Sequence, residues 1–295
     1  MRWPALGMAL MLLVGVAPLS VYGYGTAGKR SFPATLAVDD PFFIDELDLL
    51  LRHSPDATRD GARVDTTDAA LKYSKRITDR LTFSLGTGYT HLNPTQGATR
   101  NGFDNMSVGV NLMGPISAER ESVVAIGVDA TIGGTGSQAL GRSFSVFSPA
   151  FFLGQGFGNL PEEVKYLRPL AFTTAIAYNF PTRDGEPETL SSGFTLQYNL
   201  AYLSSFVADG GLPTWLSHAV PLIEAPLRFC MDKDCPDLTG TINPGVIWFN
   251  RLGQISVEAA IPVNDRSGDS VGMLFQLHLY MDALFPNSLG KPIFD

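Results

Sequence analysis

The chain has 295 residues, of which 45% are hydrophobic and only 17% charged, and its formal net charge is −8. The charged fraction is low beside the ~25% of ordinary soluble domains. The acidic balance argues against a nucleic-acid partner, because phosphate binding relies on clustered Lys and Arg. Thirty glycines and 20 prolines without a three-residue period exclude a collagen-like chain.

The N-terminus, "MRWPALGMALMLLVGVAPLSVYGYG", has a basic start, an apolar run from Ala5 to Ala17, then Pro18 and small residues. That is the pattern of a secretory signal peptide, too short for the ~20 apolar residues of a spanning helix. We assign residues 1–23 to the signal, with cleavage after Gly23 and Ala27 as the alternative. Residues 24–44 read as a poorly ordered periplasmic arm. No later apolar stretch is long enough to span as a helix.

From residue 45 onward the dominant period is two. Twelve candidate strands follow at about 45–53, 66–77, 81–92, 103–113, 121–132, 144–155, 168–180, 189–202, 220–229, 240–250, 253–263 and 270–282. The first, in "FFIDELDLLLRH", reads equally as a short amphipathic helix, and the ninth has a weak pattern. Most runs exceed the five or six residues usual in soluble domains and match the nine to eleven of a membrane-crossing strand. Val124, Ile126, Val128 and Ala130 oppose Ala125, Gly127, Asp129 and Thr131. Phe194, Leu196 and Tyr198 oppose Gly193, Thr195 and Gln197 in the same manner. One face is bulky and apolar, and the other is small and polar with few Lys or Glu. A transmembrane barrel uses that division, with lipid outside and a polar lumen inside. Closure also satisfies the backbone hydrogen bonds that hydrocarbon cannot. We therefore expect an all-β fold: an antiparallel transmembrane β-barrel of about 12 strands spanning 45–295, after a cleaved signal peptide.

If the chain starts in the periplasm, the polar connections 54–65, 93–102, 133–143, 181–188, 230–239 and 264–269 face outward. Thr78–Arg80 and Asn250–Gly253 are tight inner turns. "QGFGNLPEEVKYLRP" and "SSFVADGGLPTWLSHAVP" are long inner connections suited to short helices at the rim. The two cysteines, Cys230 and Cys235 in "CMDKDC", are expected to form a disulfide in an oxidising compartment. A metal site there is the weaker reading, because zinc takes three or four ligands and no His lies nearby.

Several segments carry a resemblance: "TTDAALKYSKRIT", "GTGYTHLNP", "LGQGFGNLPEEVKYLRP", "GTINPGVIWFN", "VEAAIPVNDRSGDSVG" and "QLHLYMDALFPNSLGKPIFD". They resemble exported outer-membrane proteins of Gram-negative bacteria usually described as transporters, near the barrel family associated with meta-pathway phenol degradation. The resemblance covers roughly residues 39–295. It implies a barrel, a membrane and, more softly, transport; it carries no catalytic motif. The ending "PIFD" departs from barrels that close on a terminal aromatic, so Phe285 is expected to close the last strand ahead of a short periplasmic tail.

Strand parity puts Lys72, Arg76, Asp129, Glu224, Arg228, Glu258, Gln276 and His278 on the inward face. Charges inside a barrel wall tune selectivity or pair to prop the lumen. These eight are the candidate lumen-lining or ligand-binding residues, with Glu258 the leading candidate for selectivity. "IGGTGSQALG" lacks the strand–helix setting and Lys-Ser/Thr of a phosphate loop and reads as an outer loop. No GxSxG elbow or HExxH motif occurs. His91 and Thr90 are sequence neighbours on a strand and point to opposite faces, so they form no nucleophile–base pair. No motif in the sequence pairs His53 or His218 with a nucleophile or a metal-ligand set. We therefore expect no enzyme, cofactor or metal. Tyr73, Tyr89, Phe144, Tyr178, Phe180, Tyr198, Tyr202, Trp248 and Tyr280 read as an interfacial girdle, with Tyr280 also fitting the lumen by parity. The expected partners are outer-membrane lipid and a small solute, apolar or aromatic, admitted through the barrel. The alternatives are a non-conducting structural or binding barrel, a soluble periplasmic β protein and, last, a lipid-modifying barrel enzyme.

Overall fold

The computed structural model describes residues 25–59, 62–208, 211–232, 235 and 238–294; the assigned signal peptide lies outside the described residues. Twelve long strands build one sheet: β1 Glu46–Arg59, β2 Ala62–Arg76, β3 Leu81–Pro94, β4 Ser107–Ser117, β5 Ser122–Thr131, β6 Val146–Gly156, β7 Leu170–Pro181, β8 Thr189–Tyr198, β9 Ala219–Cys230, β10 Leu238–Phe249, β11 Gly253–Pro262 and β12 Gly272–Tyr280. Each pairs antiparallel with its neighbours in sequence, and β12 returns to β1, from Met273 opposite His53 to Tyr280 opposite Glu46. The sheet is thus a closed barrel. A short strand, Arg100–Phe103, extends the outer end of β3.

The segment that read as strand or helix is β1. Its partners on both sides decide the matter, because closure requires a strand between β12 and β2. The ninth strand is weak in sequence because Pro221 and Pro226 interrupt it. Proline cannot donate to a ladder, and the β9–β10 pairing is interrupted between Glu224–Asn243 and Leu227–Gly240, with the register unchanged.

The wall is apolar outside and polar inside. Val110, Leu112, Ile126, Val128, Leu196 and Ile223 are exposed on the outer surface, while Thr82, Ser84, Asn111, Thr173, Thr195 and Gln197 are buried on the inner one. An apolar band this continuous is not left in water, and hydrocarbon covers it without loss. No helix among the described residues is long and apolar enough to cross a membrane, which has no bearing on crossing with strands.

Both ends of the described chain lie at one rim, here the inner rim. The long inner connections carry a 3-10 turn at Glu162–Leu167 and short helical turns at Leu200–Tyr202, Leu203–Val207 and Thr214–Ser217, as their sequences suggested. The last strand stops at Tyr280 rather than at Phe285. Met281–Leu284 form a helical turn, and the tail folds back so that Ile293 and Phe294 donate to the carbonyls of Arg76 and Ile77.

The largest departure from expectation concerns residues 25–45. They are not a loose periplasmic arm. Ala27, Phe32, Ala34, Leu36, Val38, Phe42 and Phe43 are all buried, packed within the barrel. The segment enters the lumen from the inner rim, turns at about Asp39–Asp40 and comes back to begin β1. The interior of a twelve-stranded barrel is wider than its own small Ser, Thr, Gly and Ala side chains fill, and the arm occupies that space.

Candidate functional site

The arm is clamped at its base. Arg30 is fully buried, and its Nε donates to Glu121 Oε2 at 3.1 Å. Its Nη1 donates to the Pro169 carbonyl at 2.8 Å, and its Nη2 to that of Arg168. The guanidinium lies 3.9 Å from the Tyr202 ring centroid. Tyr202 Oη in turn donates to Glu121 Oε1 at 2.8 Å. Burial and that bond push the Tyr202 hydroxyl up to about 12. One arginine therefore draws together the arm and three inner connections, using the planar multi-donor geometry that lysine lacks. At the other end of the arm, Asp45 accepts from Lys75 Nζ and Arg76 Nε, each at 2.7 Å. Lys75 and Arg76 also hold the C-terminal tail through the carbonyls of Leu289, Gly290 and Lys291.

The tip is held by a different device. Glu224, fully buried on β9, accepts three consecutive backbone N–H groups: Leu36 at 3.0 Å, Ala37 at 2.6 Å and Val38 at 3.0 Å. Gln254 exchanges hydrogen bonds with the Ala34 backbone on both its N–H and C=O, and Gln276 donates to the Thr35 carbonyl at 3.1 Å. A strand cannot pair here because the wall is already closed, so side chains of the lumen satisfy the arm's backbone instead. Gly193 leaves the room: a Cβ there would sit 2.6 Å from Val38 Cγ1. At the turn, Asp40 Oδ1 accepts from Phe42 N at 2.9 Å, and Asp39 pairs with Lys72 Nζ at 3.4 Å.

Two cavities flank the tip and share Ala37, Val38 and Asp39 in their walls. One, of about 350 Å³, is bounded by Lys72, Glu46, Asp48, Gln276 and His278. Within it His278 lies between two carboxylates, with Nε2 3.2 Å from Glu46 Oε2 and Nδ1 3.5 Å from Asp48 Oδ1. Ser74 Oγ donates to Glu46 Oε1 at 3.0 Å. The other cavity, of about 580 Å³, lies toward the outer ends of the strands. It is bounded by Arg52, Asp129, Ser148, Asn179, Ser191 and Arg228 among others.

The eight residues chosen by parity thus separate into four places. Lys72, Gln276 and His278 border the smaller cavity, and Asp129 and Arg228 the larger. Glu224 and Glu258 border neither, because the arm covers them. Glu258 is buried and accepts from Asn243 Nδ2 at 3.1 Å beside Glu224. Arg76 sits at the inner rim. Parity gives the face of a residue, not its depth or what lies on top of it.

The sequence reading passed over Arg52, Glu46 and Asp48. Their signal was present: in a strand, Glu46, Asp48, Leu50 and Arg52 share one face. The helical alternative for that segment hid it. It also passed over Arg30, Asp39 and Gln254, whose roles exist only once the arm is inside.

Cys230 and Cys235 face each other at the outer end of β9, with Cα atoms 6.0 Å apart, inside the range a disulfide bridges. Among the aromatics, Tyr89, Phe180 and Trp248 are exposed on the outer surface. Tyr202, Tyr280 and Phe144 are not part of a girdle. Tyr202 belongs to the Arg30 clamp, Tyr280 Oη donates to Gln254 Oε1 at 3.0 Å in the lumen, and Phe144 lies under the Arg183 guanidinium.

Compared with known proteins, the chain matches no family description and no curated sequence. Among solved structures it is similar to an outer membrane channel from Pseudomonas putida F1, at 13% identity and TM-score 0.53, over 85% of this chain and 99% of that one. It also matches the NanC porin, at 10% identity and TM-score 0.48 over 79% of this chain and 97% of that one. The KdgM porin matches at 12% and 0.46, over 79% and 98%. At these identities the likeness to the Pseudomonas channel is one of fold, the closed antiparallel β-barrel.

Proposed function

We propose that the protein admits small solutes across the outer membrane of a Gram-negative bacterium, with the N-terminal arm as its constriction. The observation that carries this reading is the pair of cavities on either side of the arm tip, inside a closed wall whose outside is apolar. A barrel serving only as a structural element has no need of space at the level of its narrowest ring. The walls are charged and rich in hydroxyls, which suits a polar solute better than the apolar or aromatic one expected from the sequence. Export through the signal peptide, the Cys230–Cys235 disulfide and kinship with the transporter family near the phenol-degradation barrels belong to the same proposal. The quoted motifs and the compartment support them.

One observation favours the second reading, a non-conducting barrel: the Arg30 clamp and the Glu224 cradle fill the inner half of the lumen. Reconstitution separates the two. The mature chain and a variant lacking residues 26–44 are placed in planar bilayers and in sugar-loaded liposomes. Discrete conductance steps and swelling with small sugars are expected for the mature chain, and larger ones for the variant. Silence of both, in current and in swelling, overturns passage.

A further inference from the structure

The outer cavity holds an electrostatic arrangement that folding alone does not ask for. Arg52 on β1 and Arg228 on β9 both border it, and both side chains are open to its solvent. Among the described residues, neither has a hydrogen-bond or ion-pair partner. They are close enough to feel each other's charge, and Arg228 also feels Arg142, which stands exposed in the outer connection between β5 and β6. Like charges gathered in a lumen with low-dielectric walls repel one another. At the inner rim the cations Arg30, Lys75 and Arg76 are each paired with a carboxylate, whereas the solvent-open Arg52 and Arg228 are not.

We infer that the outer cavity is a binding site for a small, hydroxylated, singly charged carboxylate, held by Arg52 and Arg228. Guanidinium groups match a planar carboxylate with paired N–H donors. The charge count favours one negative charge over two. Of the two carboxylates in the cavity wall, Asp39 is committed to Lys72 and Asp129 is left, while Glu258, behind the wall, also feels the charge of Arg52. A dianion would meet Asp129 with one charge in excess. Ser148, Asn179 and Ser191 line the arc between Asp129 and Arg228 and supply partners for hydroxyl groups. The volume, about 580 Å³, lies within the ~300–1,000 Å³ of small-molecule sites. Arg142, at the mouth, raises the local concentration of anions before they enter.

The inference deepens the passage reading and takes its biological meaning from it, but binding and flux are measured apart. The full mature chain, purified in detergent, is titrated calorimetrically with sodium glucuronate, glucose and inorganic phosphate. Heat-dependent gel mobility checks that each variant is folded. Glucuronate is expected to bind and glucose not to. Arg52→Gln and Arg228→Gln should each weaken glucuronate binding by about tenfold or more, the loss of a charge-assisted hydrogen bond. Asp129→Asn should tighten it, which a merely structural role for the arginines would not produce. Absence of glucuronate binding, equal binding of glucose, or unchanged binding in both arginine variants overturns the site. Phosphate binding more tightly than glucuronate overturns the carboxylate assignment. Loss of liposome swelling with intact glucuronate binding would count against passage and leave the site standing.

Discussion

The inner and outer halves of the lumen are built on opposite principles. In the inner half the charges of the clamp and the cradle are paired and the arm fills most of the space. Arg30 is shared by Glu121, two carbonyls and a tyrosine ring, and Glu224 is saturated by three N–H groups. In the outer half two arginines stand in open space. The same strands supply both halves, with the same alternation of faces. Paired and unpaired charges are thus segregated by depth along the barrel axis, not by strand or by face.

The contrast predicts that substitutions in the inner half act on folding and those in the outer half on solutes. Arg30→Ala should have the largest effect. It leaves Glu121 buried without its cation, and breaking a buried pair costs about 3–5 kcal/mol. The apparent melting temperature of the detergent-solubilised barrel should fall sharply, and an unchanged value would dissolve the distinction between the halves. Glu224→Ala comes next. Three N–H donors lose their acceptor, at about 1–3 kcal/mol for those that the neighbouring cavities cannot hydrate. The arm tip should become a site of limited proteolysis in the folded barrel, and single-channel current should grow noisier; resistance to protease equal to that of the parent would speak against the cradle.

Gly193→Val is the graded test. The added side chain collides with Val38, and overpacking of this kind costs about 1–3 kcal/mol. It should shift the tip without freeing the base, so conductance should rise while Arg30-dependent stability persists. The smallest effects on stability belong to the outer half and the tip's surface pair. Lys72→Met removes a half-exposed ion pair worth about 0–1 kcal/mol. Arg228→Gln should leave thermal stability within about 0.5 kcal/mol yet alter anion preference, measured as the reversal potential across a salt gradient. A large loss of stability in Arg228→Gln would show that the outer arginines are structural after all.

Glu258 illustrates how far sequence reasoning reached. Its parity was right, since it points inward from β11. Its role was not visible, because Ala34–Val38 lie over its neighbourhood and turn it into support for Asn243 and Glu224. A period of two reports orientation relative to the sheet. It carries nothing about the contents of the space the sheet encloses.

The sequence by itself determined the barrel: about twelve candidate runs, most with alternating faces and long enough to cross hydrocarbon. It could do so because each strand's pattern is local, fixed by lipid on one side and a polar lumen on the other. Tertiary structure alone decided that residues 25–45 fold inward, that β1 is a strand whose Arg52 borders the same cavity as Arg228, and that Tyr202 belongs to a clamp and not to the membrane interface. Those outcomes depend on closure, which brings together strands far apart in the chain, and on backbone groups of the arm finding acceptors on a wall more than 180 residues away at Glu224 and Gln254.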